Sequence, residues 1–539
     1  MDRQTFAWGR SKNKIIGADR WVEWLWVLGL LLAAIVLFGI NLGGLPLRDW
    51  DEGTVAQVAR EILQAPAGSW RWLYPTLSGT EYLNKPPLVH LLIAGAYKVG
   101  GINEWTSRLP GAMLTAFSVP LLYGIGRELF RQRIPALFSA LIYLTLVPVV
   151  RHGRLAMLDG AVLCFLMFMM WCVLRSRRDL RYALGAGVGF GLICLTKGIM
   201  GLLLGAIALI FLAWDTPRLL TSPYLWGGLL LGSAPVAAWY AAQLWRYQQM
   251  FISIGIFNQS LQRIWIPVEN HAGPPWYYLL EIFKYAWPWL LFFPQGVRLA
   301  WENRTSSWAK LALVWGGVYL VAISVMGTKL PWYVLPIYPA LALFGGAKLA
   351  EVWYWPSSES YPRFWTPCLT VMGLVAIVGS IYFAVFAPKL DWHLSLVLAS
   401  AAMTLLVAAF LVSRKNLQFI AILFWGTYVT LTIFMTSSHW VWELAEQYPV
   451  KPVAAIVKRG TPIGEKIYTS FPDERPSLNF YSDRQVIPNT PEQLKQLWKT
   501  APSPYLLVDQ PTFDKLKFQG VKSINKAEGW LLITKKPND

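Results

Sequence analysis

Charge is what this sequence has least of. Asp, Glu, Lys and Arg supply 14% of its 539 residues, where a soluble domain carries about 25%. That shortage excludes an ordinary soluble domain as the bulk of the chain. Cysteine is scarce too. Cys164, Cys172, Cys194 and Cys368 all lie in or near apolar segments, and none is spaced for a disulfide framework or a CxxC metal site. Internal repeats and low-complexity stretches are absent. No cleaved secretory signal is expected, because the apolar run behind the basic start is too long and has no small-residue cleavage site. Nucleic-acid motifs are missing as well, so the net charge of +18 needs another reading. The excess falls largely in short loops between apolar runs, as the positive-inside rule requires.

What is present is apolar length. Hydrophobic residues make up 55%, and mean hydropathy is +0.40. Runs of about twenty apolar residues recur, each long enough to span a bilayer. The 30 Trp and 23 Tyr suit aromatic belts at both interfaces. The fold class is therefore a polytopic α-helical membrane protein. Residues 1–20 hold Arg3, Arg10, Lys12, Lys14 and Arg20 and are expected in the cytoplasm. A first span over 21–43 delivers an outer loop, 44–108. In that loop Val55, Val58, Ala59, Ile62 and Leu63 share one helical face, which predicts an interfacial helix on the membrane surface. Gly68-Ser69 and Ser78-Gly79 predict turns. The apolar stretch 88–100 is short for a span and reads as re-entrant or interfacial.

From 109 onward, apolar runs alternate with RELFRQR, RSRRDLR, Arg298–Lys310 and Arg414-Lys415 on the cytoplasmic side. This gives about thirteen spans across 21–436, with a second long outer loop over 241–287. An odd count leaves the tail outside. Residues 437–539 have a soluble composition. EKIYTSF, RQVIP, PYLLVD and WLLITKK read as strands, and KPVAAIVKR and PEQLKQLWKT as helices, which makes a small periplasmic α/β domain.

The same parity sets several polar groups on the outer face. Asp51 and Glu52 head the helix of the first loop, where an acid also serves as a cap. Lys85 precedes the Pro86-Pro87 step. Its ammonium suits a phosphate oxygen, although a snorkelling lysine is the plainer reading. Arg151, Arg154 and Asp159, in RHGRLAMLDG, break the positive-inside pattern. An anionic ligand would account for the arginines, and so would an internal Arg–Asp pair. A carboxylate at a span end is a functional candidate by default. His271 with Tyr277, and Lys329 with Tyr333, lie on later outer loops, where aromatics commonly anchor the interface. Lys197-Gly198 marks a tight turn between two short spans. Convergence of such groups on one face of an apolar scaffold makes a candidate site.

Taken in order, DEGTVAQVAREIL, YLNKPPL, SRLPGAML, RLAMLDG, LTKG, PPWYYL and KLPWYVLP resemble the integral-membrane glycosyltransferases that include the protein O-mannosyltransferases and the aminoarabinose transferase of lipid A. The resemblance covers roughly residues 20–440. It implies a GT-C fold, a periplasmic or lumenal active site and a polyprenyl-phosphate-linked sugar as donor. It implies Asp51 as the catalytic Asp, Glu52 as the second acid of its pair, and Asp159 as the acid of the second outer loop. Lys85 matches the lysine on the donor phosphate, and Tyr333 a tyrosine near it. Arg151, Arg154 and Lys329 join as candidate phosphate ligands, and Lys197, His271 and Tyr277 as candidate substrate contacts. Three positions depart from the aminoarabinose pattern. A glutamate of a metal site is Asn84 here, so no cofactor is expected to be obligatory, and the position argues against a divalent metal without excluding one. An arginine and a tyrosine after the Asp-Glu pair are Thr54 and Val55.

The expected protein is an inverting glycosyltransferase of the cytoplasmic membrane, monomeric among membrane lipids. It moves a sugar from a polyprenyl-phosphate donor to a lipid, glycan or protein hydroxyl. A flippase or transporter of lipid-linked sugars competes. It should show charges deep in several spans or two related halves, and neither is found. A structural protein whose outer domain binds cell-wall polymer would place the working part in the tail.

Overall fold

The computed structural model describes residues 17–268, 271–356, 360–441 and 449–536. The basic residues before position 17 lie outside them. The chain divides into two compact units, the first made of Met1–Leu42, Asn84–Leu88 and Gly111–Val441.

The apolar runs fold as helices. Among the described residues, eight helices are long and apolar enough to cross a bilayer, or nine if a bent pair counts as one span. The sequence reading counts about thirteen spans, and several of its runs form shorter apolar helices. Asp159–Arg175 has 17 residues, and Tyr182–Lys197 and Met200–Asp215 have 16 each. The run expected as one span after Trp287 is a 3₁₀ turn, Trp289–Leu291, followed by the short helix Phe293–Glu302, and the stretch before it, expected as loop, holds the helix Tyr277–Tyr285. Tyr277 thus starts a helix rather than sitting in a loop.

Arg133–Leu144 and Val147–Gly153 meet at 59°. Pro148 lies in the first turn of the second piece, where its missing N–H costs nothing. The bend takes Arg151 into a helix and into the interior, so the expected outer loop 151–159 shrinks to residues 154–158.

Helices Tyr182–Lys197 and Pro223–Tyr247 pack backbone to backbone. Gly187 and Gly191 on one face Gly228 and Gly232 on the other. A Cβ at Gly187 would lie 1.9 Å from the Gly228 carbonyl carbon, and one at Gly191 2.0 Å from the Gly232 oxygen. Small residues four apart allow this approach in a bilayer, where apolar surface gains nothing by leaving lipid and packing must supply the attraction.

The second unit comprises Gly43–Leu83, Val89–Pro110 and Trp442–Asp539. The loop 44–108, expected with the transmembrane helices, is therefore grouped largely with the C-terminal residues. Their sheet has the order Gln485–Pro488, Lys466–Thr469, Tyr505–Asp509, Trp530–Lys535, Val521–Ala527. The first three strands are parallel and the last two antiparallel. Alternate residues face two apolar clusters: Leu507 joins Val453, Ile467 and Leu532, while Leu506 and Val508 join Leu494 and Ile533. Val521–Ala527 is the strand that sequence reading missed. It is an edge, largely exposed and lysine-bearing, without an apolar alternation to betray it.

Thr54–Gln64 is helical as its spacing predicts, and much of it is covered by protein. Ala56, Val58 and Ala59 are sealed, and Arg60 is buried with them. The Arg60 guanidinium donates to Asp483 and to the Phe480 carbonyl. Glu61 accepts from the Thr76 hydroxyl and the Ser78 N–H. Protein, not water, meets its polar side. Ser78-Gly79 closes the hairpin of Thr76–Leu77 and Thr80–Glu81 with both φ positive, as a two-residue type I′ turn requires.

Candidate functional site

In the first unit, cations gather around one carboxylate. Asp159 opens the helix Asp159–Arg175, where the orphan N–H groups favour negative charge. Its Oδ1 accepts from Lys197 Nζ at 2.7 Å. Lys197 ends its own helix, and Gly198 turns the chain with φ 58°. The Lys197 ammonium also stands 5.4 Å from the centre of the Tyr333 ring, within cation–π range. The Tyr333 carbonyl is pinned by the Tyr319 hydroxyl at 2.8 Å.

Lys85 arrives on the short segment Asn84–Leu88, stiffened by its two prolines. Its Nζ donates to the Gln259 carbonyl at 3.5 Å. Gln259 lies in the π-helical stretch Ile252–Leu261, and its Oε1 accepts from Arg263 at 3.2 Å. Burial and the positive charges of Arg263 and Lys197 push Lys85 down to about 7, against the opposing pull of Asp159. Lys85 thus lies in the field of two other cations, Arg263 and Lys197, and of the Asp159 carboxylate. A bound phosphate would balance the charge and restore Lys85 to the ammonium form.

The structure therefore brings together Lys85, Asp159, Lys197 and Tyr333. Arg263 completes the group and was missed. A signal was available: it is an arginine in the stretch 241–287 expected as an outer loop, the same exception to positive-inside that singled out Arg151 and Arg154.

Those two arginines stand elsewhere. Arg151 Nε donates to the Trp440 carbonyl at 3.1 Å. Arg154 donates to the Leu37 and Ile40 carbonyls at 2.8 and 2.5 Å and stacks on Trp440. Arg154 satisfies carbonyls at the end of the helix Gly17–Gly39, which have no partner within it. Lys329 behaves likewise. Its Nζ donates to the Ile323 and Ser324 carbonyls at 3.0 and 2.6 Å, capping Ser307–Val325. The His271 carbonyl accepts the Lys329 N–H at 2.8 Å. Tyr277 meets Tyr278 edge to face, and the Tyr278 hydroxyl accepts the Leu330 N–H. In these contacts Lys329, His271 and Tyr277 brace the loop that carries Tyr333.

An apolar cavity begins where the cations end. It holds about 230 Å³ and is lined by Gly198, Leu202, Val236, Tyr240 and Ser260 among others. Gly198 follows Lys197, and Ser260 follows Gln259. Leu202 also lines a second apolar cavity of about 310 Å³ between the helices beyond.

In the second unit, Asp51 sits in a π-helical turn, Asp49–Gly53. The Gly53 N–H reaches back five residues to the Arg48 carbonyl at 2.6 Å. Such turns are rare and concentrate at functional sites. Asp49 and Glu52 are sealed, whereas Asp51 is half-buried and reachable. Glu52 takes two bonds from Arg108, at 2.7 Å each, and a third from the Arg48 N–H at 3.1 Å. Arg108 also holds the Leu45 and Pro46 carbonyls. With both oxygens engaged, Glu52 fixes the turn that carries the half-buried Asp51. Among the described residues no three His, Cys, Asp or Glu side chains are grouped as metal ligands would be.

Residues 84–241 match the family described as dolichyl-phosphate-mannose-protein mannosyltransferase. An undecaprenyl phosphate-alpha-4-amino-4-deoxy-L-arabinose arabinosyl transferase from Pseudomonas fluorescens strain Pf-5 is 31% identical over 345 residues, 60% of each chain. One from strain Pf0-1 is 29% identical over 392 residues, 70% of each. The match thus spans about three fifths of the length of the first of these relatives. Among solved structures, ArnT from Cupriavidus metallidurans bound to undecaprenyl phosphate gives a TM-score of 0.76 at 20% identity, covering 95% of this chain and 99% of that one. The archaeal oligosaccharyltransferase AglB from Archaeoglobus fulgidus gives 0.51 at 13%, covering 92% and 70%. At these identities the likeness is one of fold.

Proposed function

We propose that this chain, a member of the GT-C superfamily of integral-membrane glycosyltransferases that contains the protein O-mannosyltransferases and the aminoarabinose transferases, is a polyprenyl-phosphate-sugar-dependent glycosyltransferase. The observation that carries the reading is the cation cluster of Lys85, Arg263 and Lys197 beside an apolar cavity whose lining includes Gly198 and Ser260, the residues that follow Lys197 and Gln259. That pairing suits a phosphate joined to a prenyl chain. Undecaprenyl phosphate, the lipid bound by the Cupriavidus protein, has this chemistry.

The donor phosphate sits on Lys85 and Arg263. Asp159 and Tyr333 hold Lys197 beside it, and the prenyl chain enters the cavity past Gly198. Asp51 takes the proton of the acceptor hydroxyl as general base. The acceptor oxygen attacks the anomeric carbon, the bond from that carbon to the phosphate oxygen breaks, and the configuration inverts. Polyprenyl phosphate leaves, its new charge held by Lys85 and Arg263. Asp51 then returns its proton to water. Glu52 and Arg108 keep the Asp51 turn in shape. No step is routed through a metal. The bias of Lys and Arg toward alternate loops supports a site on the periplasmic side of the membrane. The acceptor is a hydroxyl of a lipid, glycan or protein.

The test uses purified protein in lipid, a panel of radiolabelled polyprenyl-phosphate sugars, and a lipid extract of the source cell. Wild type is expected to release free polyprenyl phosphate from one member of the panel. Asp51→Asn should fold normally and lose about 10²-fold or more in rate, the usual scale of general-base catalysis. Folded protein that is silent on the whole panel with a complete extract would move the assignment to a flippase. Wild-type rates in Asp51→Asn would remove the base.

A further inference from the structure

Asp49 lies two residues before Asp51 and is 2% exposed. Its partners come from the far end of the sequence. Arg475 and the Ser477 hydroxyl both bond its carboxylate, and the Ser477 N–H adds a third contact at 3.3 Å. Trp50, the residue between, donates its Nε1 proton to the Glu474 carbonyl at 2.9 Å. Gly53 is pressed so close that a Cβ there would stand 2.7 Å from the Ser477 nitrogen. The turn that presents Asp51 is therefore gripped on both sides of Asp51 by residues 474–477.

That grip is tied back to the sheet. The Arg475 guanidinium lies 5.5 Å from the Trp50 ring and 3.6 Å from the Phe471 ring. Phe471 in turn stacks on Trp530 at 4.5 Å and 9°, and Trp530 begins the strand Trp530–Lys535. A rigid column thus runs from a sheet strand to the residue beside Asp51. A buried ion pair returns little net stability once desolvation is counted, and fixing one geometry is a better-attested use for it.

We propose that the C-terminal domain is part of the catalytic apparatus, with Arg475 and Ser477 as positioning residues that hold Asp49 and thereby aim Asp51 at the acceptor hydroxyl. This rests on Asp51 being the base, as above. It gives the tail a role that neither capping the fold nor binding polymer would require.

The experiment uses the full chain in lipid, with Arg475→Ala, Arg475→Lys and Ser477→Ala. Two readouts are taken: kcat with donor KM, and amide hydrogen exchange. Arg475→Ala should lower kcat by about 10²-fold, the effect of misplacing a reacting group by roughly an ångström, while donor KM stays within about twofold. Arg475→Lys should recover part of the loss. Exchange should quicken over residues 48–53 and not over the strands Lys466–Thr469 and Tyr505–Asp509. Unchanged kcat in a folded Arg475→Ala protein overturns the inference. So does a loss that comes with faster exchange across the whole sheet, which would mark a merely structural residue. If Arg475→Ala does not fold, Ser477→Ala is read instead, and an unaltered kcat there is equally fatal. Wild type inactive on every donor would defeat the transferase reading. Exchange at 48–53 still reports on the grip in that case, and exchange unaltered by the substitutions overturns it.

Discussion

Burial and two neighbouring cations leave the free Lys85 ammonium titrating near 7. The sign of the consequence follows directly. Below that pH Lys85 is charged and can hold a phosphate; above it the empty site loses a cation, and donor capture weakens. A plot of kcat/KM against pH should therefore fall about tenfold per unit above roughly pH 7, since kcat/KM reports the free enzyme. Arg263, Lys197 and Asp159 supply the local field, and Lys85→Arg should push the decline out of the measured range because a guanidinium does not titrate there. A wild-type profile flat to about pH 9 would mean that Lys85 does not meet the donor. At this scale the motif order pointed to Lys85, Asp159, Lys197 and Tyr333, and the structure gathers them. It was blind to Arg263, and it could not tell that Arg151 and Arg154 bond backbone carbonyls. An arginine on the outer side has two physical explanations, an anion or a helix-end carbonyl, and the letters around it are the same for both.

Among the elements, the closest approach is that of Tyr182–Lys197 with Pro223–Tyr247. Gly187→Ala adds one Cβ where the Gly228 carbonyl carbon already stands. It should cost about 1–3 kcal/mol, the usual penalty of overpacking. Gly29→Ala, on a helix face with nothing within 4 Å, should be neutral or stabilise by up to about 1 kcal/mol through helix propensity. Unfolding midpoints in detergent compare the two; equal midpoints would show that the helices part freely. Apolar runs located the helices well, because hydropathy is a sum over neighbouring residues. They did not reveal the break between Tyr277–Tyr285 and Phe293–Glu302. Nor did the spacing of Val55, Val58 and Ala59 say what covers the opposite face of their helix. The pattern is identical whether that face meets water or Asp483 and Phe480.

Over the whole molecule, the second unit makes the tail more than an appendage. Glu104 bonds Lys451 at 2.5 Å and Tyr481 at 3.0 Å, Arg60 bonds Asp483, and the Tyr481 hydroxyl accepts the Leu47 N–H at 2.8 Å. A chain ending at Val441 leaves Arg60 and Asp49 buried against nothing, and a charge stripped of its partner is costly. Limited proteolysis of that truncated protein should cut within residues 43–110, which the full chain protects, and transfer should be lost. Full activity in the truncated chain would detach the tail from function.

Composition and order along the chain were enough to set the class, the approximate positions of the membrane helices, most of the soluble strands, and the motifs shared with the GT-C enzymes. These are local or additive properties, and a sequence carries them in one dimension. Tertiary structure alone decided which charges meet. It joined Lys197 to Asp159, spent Arg151, Arg154 and Lys329 on backbone carbonyls, closed Arg108 on Glu52, and brought Arg475 to Asp49 across 426 positions. A buried charge must find a partner, but nothing local says which one. That choice belongs to the packing of elements that are distant in sequence.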